Sequence, residues 1–355
     1  MIKYYKRINT QADFGDLSRK NNLKIYIAVV FNGHKKFIFV VMQKKYCQSA
    51  LLGLAVGDAI GVPAEFKSRR YMIEHPIRDM VGYGTYNLPP GTFSDDTSLS
   101  MCLAEVLADE YNVEKLAQYL LKWYEQAFWS ARGEVFDVGV TTEKVMLKLK
   151  QGEPAILAGN DDEYSNGNGS LMRILPLLFF IHNKPVEERW KYTSEISSVT
   201  HRHIRSVIAC FYYLEFARYI MQGKNKTEIY SALQQEIPAF LHQNNVPDVE
   251  IAHYNRLLKE DITLLHEEKI RSSGYVVDTL EASMWCFMTT DTYSDAVLKA
   301  VSLGDDTDTI ASITGGLAGL YYGLENIPAH WVAQLARKDE IIVLAQALSK
   351  KYAID

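Results

Sequence analysis

Cysteine is scarce in this chain, and its placement argues against two kinds of site. Four cysteines occur among 355 residues, at positions 47, 102, 210 and 286. They are far apart and form no CxxC pair, so the sequence indicates neither a zinc site nor a disulfide framework. Cys102 and Cys286 lie in apolar runs, where cysteine usually serves as a small core residue. This usage predicts a protein of a reducing, cytoplasmic compartment.

Long basic runs and long apolar runs are also missing. The formal net charge is −5, and without a run of Lys and Arg no nucleic-acid-binding face is predicted. No stretch approaches the roughly 18 consecutive apolar residues of a membrane span, so we expect no membrane contact. What the chain does have is 48% hydrophobic residues and 12% aromatics, which suffice for a large globular core.

The first 42 residues differ from the rest. Two β-rich runs, KIYIAVVF and KFIFVVM, flank Asn32-Gly33, which is a strong hairpin signal. The broken apolar stretch and the missing cleavage pattern argue against a secretory signal. The segment is either a β-hairpin extension, which must pack on something to be stable, or upstream translation ahead of Met42. As an arm, it could dock a toxin or a target protein.

From position 43 to position 355 the pattern is helical almost throughout. Apolar residues recur at i, i+3, i+4 and i+7, and no strand-rich block or linker interrupts them, so we predict one all-α domain over 43–355. In the first helix, 49–60, Gly53 and Gly57 allow another helix or a ligand to approach closely. Further helices are predicted over 97–110, 113–130, 138–150, 170–182, 186–198, 203–222, 226–237, 248–268, 275–289, 293–303, 308–323 and 329–352.

Two acidic clusters, FSDDT at 93–97 and GDDTDT at 304–309, each open a helix-like run. One Asp or Ser at such a place is usually an N-cap, but here the acids exceed what capping needs. Adjacent carboxylates repel one another and are costly to bury, and their oxygens suit Mg²⁺ or Mn²⁺. If the fold joins the clusters, the site needs about two divalent ions to offset its charge.

The acids of the two clusters differ in their predicted roles. Asp95 and Asp96 are consecutive and point about 100° apart on a helix, so they can serve different ions, or one can bridge. Asp306 and Asp308 are two positions apart and can converge on one centre. Asp305 is either a ligand or a solvated acid at the helix entry, and both interpretations stay open.

Four further segments carry weaker signals. Glu65, at the end of ALLGLAVGDAIGVPAEF, is either a surface carboxylate or an acid above the metal site. The loop SNGNGS (165–170) offers backbone amides that favour phosphate, but it could be an ordinary turn. His201 is either a core or helix-start histidine or an imidazole of the site. Asp137, in FDVG, is a short acid-bearing break.

Together these segments resemble the ADP-ribosylglycohydrolase family, in particular its bacterial branch, typified by the glycohydrolase that reactivates dinitrogenase reductase. The resemblance implies a compact orthogonal multi-helix bundle with two Mg²⁺ (or Mn²⁺) in a cleft. It also implies hydrolysis of the bond joining ADP-ribose to a protein side chain, with arginine linkage favoured. The matching stretches, in chain order, are GLAVGDAIGVPAEF, FSDDTSLSM, FDVGVTT, NGNGSLMRILPL, SVTHRHIRSV, GYVVDTLEASMWCF and SLGDDTDTIASITGGLAGLYYG.

Carried over by position, the resemblance implies roles for individual residues. The implied metal ligands are Ser94 (usually Thr in the family), Asp95, Asp96, Asp306, Asp308 and Thr309. The implied contacts to ADP-ribose are Asn168, Gly169, Ser170, His201 and Tyr275. Glu65 matches the acid that closes over the site, and Asp137 matches one facing the target guanidinium. For catalysis, we expect Asp306 or Asp95 to take a proton from water, and Asp137 or Glu65 to serve the leaving group.

Two other functions fit the same residues. A metal hydrolase acting on a nucleotide or phosphoester would share the carboxylates but release phosphate. A catalytically silent protein that binds ADP-ribose, or an immunity factor, would share the fold. The intact set of acids argues against the silent protein, because a protein that no longer catalyses would be expected to lose acids.

Overall fold

The computed structural model describes residues 23–31, 34–42 and 45–354, in two units. In the first unit, strands β1 (Leu23–Phe31) and β2 (His34–Met42) pair antiparallel, with Phe31 opposite His34 and Leu23 opposite Met42. The predicted hairpin is therefore present, although its turn lies outside the described residues. The proposed boundary between residues 42 and 43 stays a prediction.

The second unit, Tyr46–Ile354, is helical in its regular elements, which confirms the predicted all-α class. Short 3-10 turns lie at Val62–Ala64, Ile262–Leu264, Glu267–Lys269 and Leu324–Asn326. The helices are α1 (Tyr46–Gly61), α2 (Arg69–Glu74), α3 (Asp95–Asp109), α4 (Val113–Gln126), α5 (Val140–Lys150), α6 (Ala155–Ala158), α7 (Leu177–Ile181), α8 (Val186–Ser198), α9 (Ile204–Met221), α10 (Lys226–Gln243), α11 (Asp248–Ala252), α12 (Asn255–Leu258), α13 (Val276–Met288), α14 (Tyr293–Ser302), α15 (Thr307–Tyr322), α16 (Ala329–Gln334) and α17 (Lys338–Tyr352).

Four of the predicted long helices are wrong in extent. The helix expected over 226–237 continues through Pro238 to Gln243 as α10. The helix expected over 170–182 is reduced to α7, which Pro176 precedes, because proline has no amide to continue a helix. The one expected over 248–268 breaks into α11, α12 and two 3-10 turns, where the Asp261 side chain accepts from the amide of Thr263. The last one, 329–352, divides at Arg337, whose φ of 54° is left-handed.

Helices α1 and α15 pack closely at the centre of the helical unit. A Cβ added at Gly57 would lie 2.1 Å from the Ala311 carbonyl oxygen, and one added at Gly319 would lie 2.1 Å from that of Ser49. The glycines predicted to admit a close neighbour therefore admit α15. The tight contact fixes the C-terminal end of α1 beside the N-terminal end of α15, where the Thr307 hydroxyl donates to the Gly61 carbonyl (2.8 Å).

One segment of the described chain, Tyr46–Ala64, is long and apolar enough to cross a membrane, with a mean hydropathy of 1.3. The sequence predicts no membrane span because no long run of apolar residues is uninterrupted. This segment contains polar residues, but its mean hydropathy is still high enough for a span. It is entirely buried within the unit, as expected of a central core helix.

Candidate active site

Acidic side chains from three helix ends and two loops meet at one place. Carboxylate oxygens of Asp58, Asp96 and Asp308 lie within 4.8 Å of one another, and so do those of Glu65, Asp137 and Asp308. The Thr309 hydroxyl also donates to Asp96 (3.4 Å), so the two clusters separated in sequence are in contact. We call this set the acid half of the site; its members are Asp58, Glu65, Ser94, Asp95, Asp96, Asp137, Asp306, Asp308 and Thr309.

Asp58, which had no role from the sequence, holds the start of α3. Its two carboxylate oxygens accept from the amide of Ser94 (2.9 Å), the amide of Thr97 (3.0 Å) and the Thr97 hydroxyl (2.6 Å). These bonds satisfy amides that open the helix, a task that usually falls to the N-cap side chain. Asp58 therefore positions Ser94, Asp95 and Asp96. The sequence did offer one signal for this role, because Asp58 is a lone acid inside the apolar run of α1.

The rest of the acid half is crowded with carboxylates that resist ionisation. Burial raises the pKa of Asp95, Asp96 and Asp308 well above its ordinary value, and neighbouring acids raise it further. Burial and the charge of Asp137 raise the pKa of Glu65 to about 9. Several negative charges at this spacing are costly without a positive partner.

The oxygens left over fit a divalent cation. Asp96 Oδ2, Asp308 Oδ2 and Glu65 Oε2 are buried and lack a hydrogen-bond partner among the described residues. Buried polar atoms are rarely left so, and these carry or share negative charge. An all-oxygen set of carboxylates and hydroxyls suits a hard ion such as Mg²⁺ or Mn²⁺. The residues present therefore fit the implied metal centre.

Tyr86 is a further neighbour of the acids that sequence reasoning missed. Burial raises the pKa of Asp137 and of Glu65, and the nearby Tyr86 hydroxyl opposes the rise in both. Its ring lies against Phe136, with centroids 4.9 Å apart. No motif marks a tyrosine in the irregular segment 75–94, so nothing in the pattern could have singled it out.

Asp306 and Asp305 have different surroundings. Asn168 donates to Asp306 Oδ2 (2.6 Å), which joins the acid half to the loop 165–170. Asp305 is exposed and accepts from the Ser272 hydroxyl (3.2 Å). Of the two open interpretations, the position of Asp305 matches the solvated acid at the helix entry.

The second part of the site is built on the loop 165–170. Its backbone pairs with the segment before α13: the Asn168 amide donates to the Gly274 carbonyl (3.1 Å), and the Val276 amide donates to that of Asn166 (3.0 Å). We call this part the loop half; it comprises 165–170 with His201 and Tyr275, and it brings together all five predicted ADP-ribose contacts.

His201 is enclosed by the glycines of the loop. A Cβ added at Gly169 would lie 2.8 Å from His201 Cε1, and one at Gly167 would lie 3.4 Å from Nε2. Burial, followed by the charge of Arg173, lowers the pKa of His201 to about 3. The ring is therefore neutral at physiological pH and can only donate or accept a hydrogen bond. Thr200 contacts its Nδ1 (2.8 Å).

Ser170 and Arg173 fix the loop 165–170 through hydrogen bonds in the protein interior. The Ser170 side chain is fully buried and accepts from the Ser197 hydroxyl (2.9 Å). Arg173, also fully buried, donates to the carbonyls of Gly169 (2.6 Å) and Ile196 (3.0 Å). Of the predicted ADP-ribose contacts, the Ser170 hydroxyl has the least support from this arrangement.

Tyr275 lies at the other edge of the loop half. It pairs with Gly167 through a β-bridge, and the Arg205 guanidinium lies 5.9 Å from the centre of its ring. Arg205 is fixed in turn by Glu250, which accepts from it at 2.8 and 3.0 Å. The half-exposed Tyr275 ring is therefore held in place beside the loop.

Comparison with known proteins matches both the sequence and the fold. A family model for ADP-ribosylglycohydrolases matches residues 43–354. The chain is 34% identical over 304 residues to ADP-ribosylarginine hydrolase Tri1 of Serratia proteamaculans (85% of this chain, 78% of that protein). It is 29% identical over 297 residues to ADP-ribosyl-[dinitrogen reductase] glycohydrolase of Rhodospirillum rubrum (82% and 90%).

A solved structure described as an ADP-ribosylglycohydrolase-related protein complex superposes with a TM-score of 0.71 at 29% identity, covering 87% of this chain and 98% of that one. The motifs found in the sequence, the converging acids and these matches agree. The chain belongs to the ADP-ribosylglycohydrolase family of hydrolases.

Proposed function

We propose that this enzyme removes ADP-ribose from modified arginine side chains of proteins and needs divalent metal ions to do so. The observation that carries the proposal is the meeting of the two acidic clusters beside a loop rich in backbone amides. The Asn168–Asp306 hydrogen bond of 2.6 Å joins the two parts. Such a site can hold an anionic diphosphate in the loop half and a reacting ribose in the acid half.

Two Mg²⁺ or Mn²⁺ would be held by Ser94, Asp95, Asp96, Asp306, Asp308 and Thr309. When bound, such ions lower the pKa of water and orient oxygen ligands. The support in this chain is the unpartnered oxygens of Asp96 and Asp308 and the position of Ser94, whose side chain lies at the N-cap of α3. Asp58 fits a supporting role, because hydrogen bonds occupy both of its oxygens.

The chain's own residues divide the proton transfers. The oxygen of a water molecule bonds to the anomeric carbon as the bond from that carbon to the guanidino nitrogen breaks. Asp306 or Asp95 accepts a proton from the water, and the electron pair of the broken bond stays on nitrogen. Glu65, whose carboxyl group resists ionisation in the metal-free protein because it is buried beside Asp137, or Asp137 itself would give a proton to the departing guanidine.

Arginine linkage is favoured over other linkages by the charge at the mouth of the acid half. The Asp137 carboxylate lies within 4.8 Å of that of Glu65, so its charge would complement a guanidinium leaving beside Glu65. The related Serratia proteamaculans protein is an ADP-ribosylarginine hydrolase by its description. A substrate attached through serine would bring no cation to this carboxylate.

Release of ADP-ribose from an arginine-ADP-ribosylated protein, first with Mg²⁺ and then with EDTA, tests the proposal. We expect release with Mg²⁺ and none with EDTA. Release of phosphate from a nucleotide instead would support the general metal hydrolase. Tight ADP-ribose binding in Mg²⁺ without any hydrolysis would support the silent binding protein, and each result would contradict the proposal.

The proposed enzyme works in the cytoplasm on a protein substrate. All four cysteines are buried, and Cys102, Cys210 and Cys286 are free thiols, which suits a reducing cytoplasmic compartment. The substrate would be an ADP-ribosylated protein and the product ADP-ribose. Docking of a toxin or target on the N-terminal arm stays a prediction; deleting residues 1–41 tests it, and unchanged partner binding would remove the idea.

A further inference from the structure

Two acids of the acid half each have a phenylalanine as chain neighbour, and the two pairs are built alike. Glu65 is buried, while 67% of the surface of Phe66 is exposed. The Asp137 carboxylate lies within 4.8 Å of that of Glu65, and Phe136 before it lies half-buried against the Tyr86 ring. In both pairs a carboxylate joins the site while the adjacent ring stays at least partly open to solvent.

The rings form one continuous surface beside the carboxylates. The centroids of Phe66 and Tyr86 are 6.5 Å apart in an edge-on arrangement, and those of Tyr86 and Phe136 are 4.9 Å apart. Burial raises the pKa of Tyr86, and the nearby charges of Asp137 and Glu65 raise it further. We call Phe66, Tyr86 and Phe136 the aromatic rim. It places apolar, π-rich surface directly next to negative charge.

The backbone holds the exposed Phe66 ring in place in a strained, left-handed conformation. Phe66 has a φ of 62° and Asp137 a φ of 55°, in the left-handed region that bulky residues avoid. The Phe66 amide donates to the Asp305 carbonyl and the Asp305 amide to that of Lys67, each at 2.7 Å. Because an exposed phenylalanine adds little to the core, strain held in this way points to a binding role.

We propose that the aromatic rim binds the guanidinium and the aliphatic stem of the modified arginine, and so sets the preference for arginine-linked ADP-ribose. This inference rests on the proposed function. A guanidinium is planar and weakly hydrated, and it stacks on aromatic faces. The Asp137 carboxylate behind the rim complements its charge. A serine-linked substrate offers neither the cation nor the stem.

The test replaces the π surface but keeps apolar bulk, in Phe66→Leu and Phe136→Leu. Steady-state hydrolysis of ADP-ribosyl-agmatine, a small guanidine substrate, is measured with the full chain in Mg²⁺. We expect KM to rise roughly 3- to 30-fold per variant, the range of a cation–π contact, with kcat nearly unchanged. Free agmatine, as a competitive inhibitor, should weaken by a similar factor.

Two controls separate the rim from the rest of the site. Affinity for free ADP-ribose, which has no guanidinium, should match that of the wild type in both variants. Leu264→Ala changes an apolar side chain of similar exposure (78%) in the 3-10 turn Ile262–Leu264 and should leave KM unchanged. Equal melting temperatures would establish that the variants fold.

The outcomes are distinguishable. Leucine variants with the KM of the wild type overturn the rim proposal, while arginine hydrolysis by the wild type still supports the proposed function. An equal loss of ADP-ribose affinity also overturns it, because the rings would then contact the nucleotide. If the wild type releases no ADP-ribose from the arginine-linked substrate, the proposed function fails and the rim proposal fails with it.

Discussion

The acid half and the loop half of the site are stabilised in opposite ways. In the loop half, the chain satisfies itself: Asn168 donates to Thr279 (3.0 Å), and Arg173 ties the Gly169 carbonyl to the core. In the acid half, buried oxygens of Asp96, Asp308 and Glu65 have no partner among the described residues. The loop half is thus held by hydrogen bonds of the chain itself, whereas the acid half has buried oxygens that a cation would satisfy.

The largest effect should come from replacing Asp308. Its carboxylate lies within 4.8 Å of those of Asp58 and Asp96, and also of those of Glu65 and Asp137. Asp308→Asn should lower kcat on the order of 10³-fold, because the acid half loses charge and a ligand oxygen. The same change should raise the melting temperature of the metal-free protein, since one buried charge no longer repels its neighbours.

Asp305→Asn is the matched control, because Asp305 is exposed and three positions away. It should keep the activity of the wild type and its melting temperature in EDTA. A metal-free Asp308→Asn protein that melts below the wild type would contradict the idea that the acids repel one another.

The next effect concerns the support of α3. Asp58→Asn replaces one of two accepting oxygens by a donor that faces an amide, which should cost about 2 kcal/mol in the free energy of unfolding. Because Ser94, Asp95 and Asp96 would shift with the helix start, kcat should fall as well. Urea unfolding and turnover check both. Thr97→Val, which removes only the hydroxyl donor, should cost less; equal costs would contradict a role in capping.

The pH dependence of stability tests the acid half more finely. The pKa of Glu65 is raised from 4.5 to about 9 and that of Asp58 from 3.8 to about 6, mainly by burial. Between the unfolded and folded values the folded state binds more protons, so stability is present at low pH and is lost as pH rises. In EDTA the melting temperature should therefore fall from about pH 5 to pH 9.

Saturating Mg²⁺ should flatten this decline, because cation binding favours the ionised acids. A thermal-unfolding series with and without Mg²⁺ measures both slopes. A metal-free melting temperature that rises with pH across this window would contradict the assignment.

The smallest effect tests the loop half. Gly169→Ala would bring a Cβ to 2.8 Å from His201 Cε1, so the loop or the imidazole must shift. We expect KM to rise roughly tenfold, which corresponds to about 1.4 kcal/mol, with little change in kcat. In a His201→Ala background the same substitution should add much less. An additive loss would show that the glycine acts independently of the histidine.

The sequence predicted the acid half better than the rest of the site. Before two helices, at 93–97 and 304–309, the sequence has more acids than capping needs, and this surplus can be read without a structure. The fold brings the two acidic clusters together. Asp58 was visible but could not be assigned, because its partners Ser94 and Thr97 are 36 and 39 positions away. Tyr86 and the exposed Phe66 could not be found, since no pattern encodes a left-handed loop that turns a ring outward.

The fold was predictable in class but not in its breaks. Apolar periodicity continues through 248–268 and 329–352, where the chain nevertheless turns, because local caps and a left-handed Arg337 override the periodicity. Gly53 and Gly57 of α1 predicted a close neighbour. In the structure that neighbour is α15, whose Gly315 and Gly319 also permit the close approach. Contacts of this kind are tertiary, so the sequence alone could not choose between helix and ligand.

Titration of the metal-free protein with Mn²⁺, with free Mn²⁺ followed by electron paramagnetic resonance, measures directly whether the acid half holds metal ions. We expect two ions bound per chain, with release of protons from the acids, and clearly weaker binding in Asp308→Asn. A protein that binds no Mn²⁺ or Mg²⁺ and still releases ADP-ribose at full rate in EDTA would contradict this expectation.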